Sequence, residues 1–96
     1  MIYMKDNLTV KFFTVDRQIP AVECDSVRIP VADSSKGEFS GSYGIKKGHA
    51  RAVFALKSGT VIVAKDGKTV LTANISDGFA IVENNEISIT VDRIEE

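Results

Sequence analysis

The chain has 96 residues, of which 44% are hydrophobic and 26% are charged, and its net charge at pH 7 is −1. This composition is typical of a soluble globular protein, and we expect residues 1–96 to form one domain. The near-neutral charge argues against a nucleic-acid partner, no apolar run approaches the roughly 20 residues of a membrane span, and the single cysteine excludes an internal disulfide.

The first third of the chain predicts three short strands. Residues 8–12 alternate apolar and polar side chains, which is typical of a half-buried strand. Residues 18–23 predict an edge strand, because Pro20 has no amide hydrogen to donate. Residues 27–31 alternate again, and Pro30 predicts that one side of this strand is locally unpaired.

The middle of the chain predicts a long loop and then a buried strand. Residues 33–42 are polar and glycine-rich, so we expect an exposed excursion. Gly44 and Gly48 bracket two lysines, which favours a tight surface turn. Residues 52–56 carry apolar side chains on both faces, which predicts a strand deep in a sheet.

The last third predicts two hairpins. Asp66-Gly67 is a strong hairpin signal between strands at 60–64 and 68–73. Residues 74–78 predict a corner or bulge, where Asp77-Gly78 tolerates unusual backbone angles.

The second hairpin turns at Asn84-Asn85, between strands at 79–82 and 87–91. No window shows the 3.6-residue period of a helix. Short strands at even spacing therefore predict an all-β sandwich or barrel.

Few residues suggest chemistry. His49 is the only histidine, so a metal site or a catalytic triad lacks partners, and a turn histidine bonded to backbone is the simpler interpretation. Lys46, Lys47, His49 and Arg51 form a local basic cluster, which predicts a solvated face or, alternatively, a rim contact with an acidic partner. Cys24 precedes Asp25 and is interpreted as unreactive.

Two segments carry a resemblance to a known family. The first reads Gly44-Ile45-x-x-Gly48-His49-Ala50, then an apolar run, then Leu56-Lys57-x-Gly59. The second is Ile75-Ser76-Asp77-Gly78-Phe79-Ala80-Ile81-Val82. In order and separation they resemble the epsilon subunit of F-type ATP synthases. Lys47, Arg51 and Ser58 replace prolines of that family, and Asp77 replaces a glycine.

The resemblance implies a flattened β-sandwich and a non-catalytic function. The family member is a rotor subunit that links the gamma subunit to the membrane ring of c subunits, for ATP synthesis driven by protons or sodium ions. It implies no cofactor, no metal, no small-molecule substrate, no nucleic acid and no direct membrane insertion. It also implies a place at the cytoplasmic face of the bacterial cell membrane, within a membrane-associated complex.

The resemblance also assigns contact residues. On the gamma-facing side they are Thr14, Gly48, His49 and Ala50. In the loop facing the c ring they are Lys36, Gly37, Glu38 and Phe39.

The family's C-terminal helical hairpin has no counterpart in residues 1–96; if Glu96 is the natural end of the chain, we expect no epsilon-type latching of ATP hydrolysis. An alternative hypothesis is a stand-alone protein-binding module that has kept the fold and lost the rotor function.

Overall fold

The computed structural model describes residues 7–15, 17–32 and 41–95, which form two five-stranded sheets. No residue in these ranges is helical. The strands are β1 (Leu8–Phe13), β2 (Gln18–Cys24), β3 (Ser26–Pro30), β4 (Ser42–Lys46), β5 (Ala52–Leu56), β6 (Gly59–Lys65), β7 (Lys68–Ile75), β8 (Gly78–Glu83), β9 (Glu86–Val91) and β10 (Ile94–Glu95).

Each sheet has a defined strand order. Sheet A runs β2-β1-β9-β8-β5 and sheet B runs β10-β7-β6-β3-β4. The pairings are antiparallel except that of β1 with β9, which is parallel. An isolated bridge between Val31 and Leu56 joins the end of β3 to β5, and so links the two sheets at one corner.

The core lies between the sheets and follows the alternation of the strands. On β1, Leu8, Val10 and Phe12 are fully buried, as the sequence predicts. Burying a side chain of this size contributes about 1.5–3 kcal/mol. The other fully buried large side chains are Val27, Ile29, Ile45, Val61, Val63, Val82, Ile87 and Ile89. The all-β sandwich expected from the sequence is confirmed.

Both predicted hairpins are present and share one turn geometry. Asp66 and Gly67 have φ values of 55° and 77°, and Asn84 and Asn85 have values of 51° and 59°. Two successive positive φ values define the type I′ turn, which matches the twist of the flanking strands. The prediction of β2 as an edge strand is also confirmed, and the pairing of β3 with β6 ends at Arg28, before Pro30.

The prediction that residues 52–56 lie deep in a sheet is wrong. These residues form β5, which pairs along its length with β8 and has on its other side the isolated bridge from Leu56 to Val31, so it is an edge strand of sheet A. Val53 on its outer face is 68% exposed. Apolar residues on both faces here reflect an exposed apolar surface rather than burial by a further layer.

The turn predicted around Gly44 is also wrong, because Gly44 lies inside β4 opposite Arg28. The turn follows β4 at Lys47 and Gly48, and the φ of Gly48 is 85°. The prediction of an unusual backbone angle at Gly78 is wrong, because this residue lies in the extended strand β8 without a positive φ. A glycine is needed there because the neighbouring strand packs too closely for a side chain. A Cβ there would collide with the Thr90 carbonyl oxygen and lie 2.7 Å from Val91 Cγ1.

Candidate functional site

The turn that carries His49 connects β4 to β5 and is anchored to a neighbouring turn. The Gly48 amide donates a hydrogen bond to Asn85 Oδ1 at 2.7 Å, and the His49 amide donates to the Lys46 carbonyl at 3.2 Å. Because Asn85 lies between β8 and β9, the His49 turn is held against sheet A. Gly48 has a φ of 85°, a left-handed conformation that residues with a Cβ adopt only with strain, so a glycine suits this turn.

The imidazole of His49 makes hydrogen bonds within the chain through both nitrogens. Nδ1 lies 2.7 Å from the Ala50 carbonyl oxygen, and Nε2 lies 2.9 Å from the Tyr43 hydroxyl. A carbonyl only accepts, so Nδ1 carries the proton and Nε2 accepts from Tyr43. The ring also packs edge-on against Phe54, with centroids 6.0 Å apart. His49 therefore fastens β4 to β5 and has the structural role expected of a lone turn histidine.

The basic cluster is partly neutralised. Arg51 Nε lies 3.5 Å from a Glu83 carboxylate oxygen, and both side chains are largely exposed. Lys46 and Lys47 are exposed beside it. An exposed pair of this kind contributes roughly 0–1 kcal/mol, so the cluster is a solvated rim rather than a binding pocket.

Thr14 lies at the opposite end of sheet A from His49. It directly follows β1, and its hydroxyl accepts a hydrogen bond from the Arg17 amide at 3.0 Å and donates one to the Arg17 carbonyl at 3.1 Å. Asn85, which holds the His49 turn, lies next to the start of β1, because the Thr9 amide donates to its carbonyl. The two predicted gamma-facing positions are thus separated by the length of β1, about 20 Å for six residues.

The predicted c-ring loop, Lys36 to Phe39, lies outside the described residues. Its base is described. The Val31 amide donates to the Gly41 carbonyl at 2.9 Å, and the Ala32 amide donates to the Ala55 carbonyl at 3.0 Å. Ala55 lies near the end of β5, so the loop leaves the sandwich at the Thr14 end of sheet A.

The sequence analysis missed a surface on the outside of sheet A. Val53, Phe79 and Ile81 are 68%, 59% and 45% exposed. Val53 pairs with Ile81, and Ala55 pairs with Phe79, so these side chains form two adjacent cross-strand rows. We call Val53, Ala55, Phe79 and Ile81 the apolar face. Its sequence signal was the presence of apolar residues on both faces of 52–56.

A hollow of about 520 Å³ adjoins the apolar face at its Thr14 end. Phe79 forms part of its wall, together with Thr14, Val15, Leu56 and Val91. Val15 is 89% exposed and extends the apolar surface past the end of the strands. The apolar face is therefore continuous with a concave site beside Thr14.

Cys24 offers no reactive thiol. It is 3% exposed, and its sulfur donates a weak hydrogen bond to the Leu8 carbonyl at 3.6 Å. Burial, reinforced by the negative charge of Asp25, raises the pKa of Cys24 to about 11. The thiol therefore stays protonated at neutral pH, in agreement with the sequence interpretation.

Two further features bear on chemistry. The described part of the chain contains no group of three or more histidine, cysteine or acidic side chains placed to hold a metal ion. Within the same ranges, no helix has the length and apolar character needed to cross a membrane.

Comparison with known proteins identifies the class. Residues 7–96 match the family described as the ATP synthase, delta/epsilon chain, beta-sandwich domain. The chain belongs to this family. The two-sheet sandwich described above agrees with the beta-sandwich that names this family.

Relatives that match the chain in sequence are ATP synthase epsilon chains. The chain is 36% identical over 88 residues to the ATP synthase epsilon chain of Synechococcus sp. (strain JA-2-3B'a(2-13)), covering 92% of this chain and 58% of the relative. It is 35% identical over 88 residues to that of Gloeothece citriformis (strain PCC 7424), with the same coverage. The chain thus spans less than two thirds of the length of these relatives.

Solved structures share the fold. One is a chain of the Euglena gracilis mitochondrial ATP synthase, from a structure of OSCP, F1 and c-ring, with a TM-score of 0.77 at 21% identity over 97% of this chain and 55% of that one. Another comes from the central stalk and c-ring of the Tetrahymena thermophila mitochondrial ATP synthase, with a TM-score of 0.73 at 13% identity over 98% of this chain and 69% of that one.

Proposed function

We propose that this domain is a non-catalytic part of the rotor of an F-type ATP synthase, where it couples the gamma subunit to the c ring. The observation that carries the proposal is the family match over residues 7–96. The geometry is compatible with it, because both imidazole nitrogens of His49 make hydrogen bonds within the chain and the outside of sheet A exposes an apolar face.

The gamma subunit contacts Thr14 and the turn of Gly48, His49 and Ala50. Those positions lie at the two ends of sheet A, so a partner that touches both extends along this sheet. The c ring contacts the loop of Lys36, Gly37, Glu38 and Phe39, whose base leaves the sandwich at the Thr14 end. One subunit can therefore lie along the sheet while the other meets its end.

The complex lies at the cytoplasmic face of a bacterial cell membrane. Support comes from the cyanobacterial relatives, which are epsilon chains of ATP synthases. A proton or sodium gradient drives the rotation, and this chain transmits torque without binding nucleotide.

Co-expression with the gamma subunit of the same cell tests the proposal. We expect the two proteins to co-purify as a stable complex. Adding this chain to an ATP synthase reconstituted without its epsilon subunit should raise the number of ions pumped per ATP hydrolysed. A chain that neither co-purifies with gamma nor changes coupling is not a rotor subunit, and the stand-alone binding module becomes the better description.

A further inference from the structure

We infer that the open edge of β4 binds an extended segment of another polypeptide, which joins sheet B as an added antiparallel strand. In this segment, acidic side chains alternate with apolar ones. The surface belongs to sheet B and is separate from the apolar face of sheet A, and the inference does not depend on the rotor function.

The backbone of β4 has bonding groups that point away from its sheet. Strand β4 is the last strand of sheet B, and among the described strands it pairs only with β3. The Val31 amide donates to the Gly41 carbonyl, so Gly41 and every second residue after it face β3. The amides of Ser42, Gly44 and Lys46 therefore point outward, to the open side.

These outward groups form a regular binding edge. The carbonyls of Ser42 and Gly44 also point outward, whereas the Lys46 carbonyl accepts the His49 amide hydrogen at 3.2 Å. Within the described part of the chain, no hydrogen bond occupies the outward amides or the Ser42 and Gly44 carbonyls. An added antiparallel strand can bond all of them. The turn at His49 marks the end of this edge.

The other described edges are protected against strand addition. The register of β2 against β1 shifts beside Pro20, and that of β7 against β6 shifts at Val70. Such bulges and prolines are the usual protection of an edge. Strand β5 carries the bridge from Leu56 to Val31 on its free side, and β10 has two residues. Strand β4 combines an uninterrupted register with an open side.

The outer face beside this edge is basic. The Arg28 side chain lies over Gly44, where a Cβ would be 3.7 Å from Nη2, and its Nη1 donates to Ser42 Oγ at 3.0 Å. Lys46 is exposed on the same face. No carboxylate of the described residues forms an ion pair with Arg28 or Lys46. Acidic side chains on this face of an added strand would therefore complete the pairs.

The inner face beside this edge is apolar. Tyr43 lies on the core side of β4, the side of the fully buried Ile45, and is 40% exposed. Its ring packs against Phe54 with centroids 4.9 Å apart. An apolar side chain opposite Tyr43 would cover the exposed part of this ring. Because successive side chains of a strand alternate between faces, the occupant alternates acidic and apolar residues.

A synthetic peptide of alternating glutamate and valine, with capped ends, is the probe. In an NMR titration of the protein, the amide signals of Gly44 and Lys46 should shift, and hydrogen exchange of the Gly44 amide should slow. We expect a Kd below about 1 mM. The same peptide with lysine in place of glutamate is the control, and it should bind about tenfold more weakly or worse, since like charges then face each other.

Methylation of the peptide backbone tests strand addition itself. In the antiparallel pairing, the glutamate amides point towards β4 and the valine amides point away from it. N-methylation of the glutamates should abolish binding. N-methylation of the valines should change the Kd less than about threefold. Equal effects of the two methylation patterns would contradict strand addition.

Charge variants of the protein test the outer face. Arg28→Glu and Lys46→Glu should each raise the Kd for the glutamate peptide about tenfold or more, because they place like charges beside it. Lys68→Glu is the matched control, because Lys68 is exposed on β7 of the same sheet. That variant makes the same change in net charge and should change the Kd less than about threefold.

The outcomes decide the inference. Protection of the Gly44 amide, together with a Kd that responds to Arg28→Glu and Lys46→Glu but not to Lys68→Glu, supports it. The inference fails if the unmodified protein shows no saturable binding of the glutamate peptide, or if the shifted amides lie on β5 or β7. Equal binding of the glutamate and lysine peptides would also overturn it, because the edge would then not select an acidic segment.

Discussion

At the scale of single residues, Gly78 is the position where strand β8 packs most tightly against strand β9. Its backbone faces Val91 of β9 so closely that no side chain fits, since even a Cβ would lie 2.9 Å from the Val91 Cα. The obstacle is backbone as well as side chain, so it cannot be relieved by a rotamer change. This makes the glycine a packing requirement of the β8–β9 pair.

Gly78→Ala should therefore lower the free energy of unfolding by about 2 kcal/mol or more, since overpacking against backbone forces the strands apart. Gly67→Ala is the control. A Cβ at Gly67 would meet no other atom, but the φ of Gly67 is 77°. The free energy of unfolding of Gly67→Ala should therefore fall only by the strain of a left-handed alanine, about 1 kcal/mol. Urea unfolding measures both. Equal midpoints for the two variants would contradict the packing argument.

Cys24 gives the protein a pH dependence with a defined sign. The pKa of the buried thiol rises from an ordinary value near 9.0 to about 11. Below pH 9 the thiol is protonated in both the folded and unfolded chains. Between pH 9 and pH 11 the unfolded chain ionises first, so stability falls as pH rises, by about 2 kcal/mol in total.

Unfolding curves at pH 8, 9, 10 and 11 measure this loss. The control is Cys24→Ala, which removes the thiol and keeps every other ionisable side chain, so the difference in slope isolates the thiol. We expect the alanine variant to lose less stability over this range. Parallel curves for the two proteins would show that the thiol does not control the alkaline limit.

At the scale of elements, the turn that carries His49 depends on a side chain from another hairpin. Asn85 holds a φ of 59° and accepts the Gly48 amide hydrogen. Asn85→Gly keeps the backbone geometry and removes this acceptor, so we expect a loss of about 1 kcal/mol and faster hydrogen exchange of the Gly48 amide. Asn84→Gly, at a φ of 51°, is the control. If exchange at Gly48 is equally slow in both variants, the Asn85 contact does not hold the turn.

Local sequence patterns predicted most strands because alternation and type I′ turn residues act over a few neighbours. Strand β1 followed from the spacing of Leu8, Val10 and Phe12, and the two hairpins followed from Asp66-Gly67 and Asn84-Asn85. Strand β4 was missed because Gly44 resembles turn chemistry, although its backbone pairs with Arg28 of β3. Strand β10 was missed because its two residues are too few for a pattern.

Position within a sheet was less predictable than strand identity. The sequence pattern of residues 52–56 does not tell a strand buried between two layers from an edge strand with an exposed apolar face. In both cases the outer side chains are apolar. The residues of β5 do not determine its edge position. That position follows from the strand order of sheet A, in which β9 pairs with the other side of β8. For the same reason, the sequence did not reveal that Thr14 and His49 lie at opposite ends of sheet A, or that Phe79 and Ile81 complete an apolar face with Val53.

At the scale of the whole molecule, the two outer faces differ in chemistry. Sheet A presents the apolar face, whereas the outside of sheet B combines exposed apolar side chains, Ile62 and Val70, with polar pairs such as Arg28–Ser42 and Thr60–Asn74. Both faces therefore mix apolar and polar side chains, and the cross-strand rows of Val53 with Ile81 and Ala55 with Phe79 belong to sheet A.

The far-ultraviolet circular dichroism of the full chain should be that of a strand-dominated protein with almost no helix. All regular elements in the described ranges are strands, and no helical period occurs in the rest of the sequence. A helix content near the globular average of about one third would contradict this fold.

The parallel pairing of β1 with β9 has a consequence for how the chain is made. Strand β1 pairs on one side with β9, which lies almost at the other end of the sequence. The entropy of closing this long loop must be overcome before the pair forms. Folding should accordingly be slow for a domain of this size, in the range of milliseconds to seconds typical of all-β topologies. During synthesis, β1 and β2 wait as an isolated hairpin, which is marginally stable in water, until residues 86–91 have left the ribosome. The emerging chain is thus exposed to aggregation until its last long strand is complete.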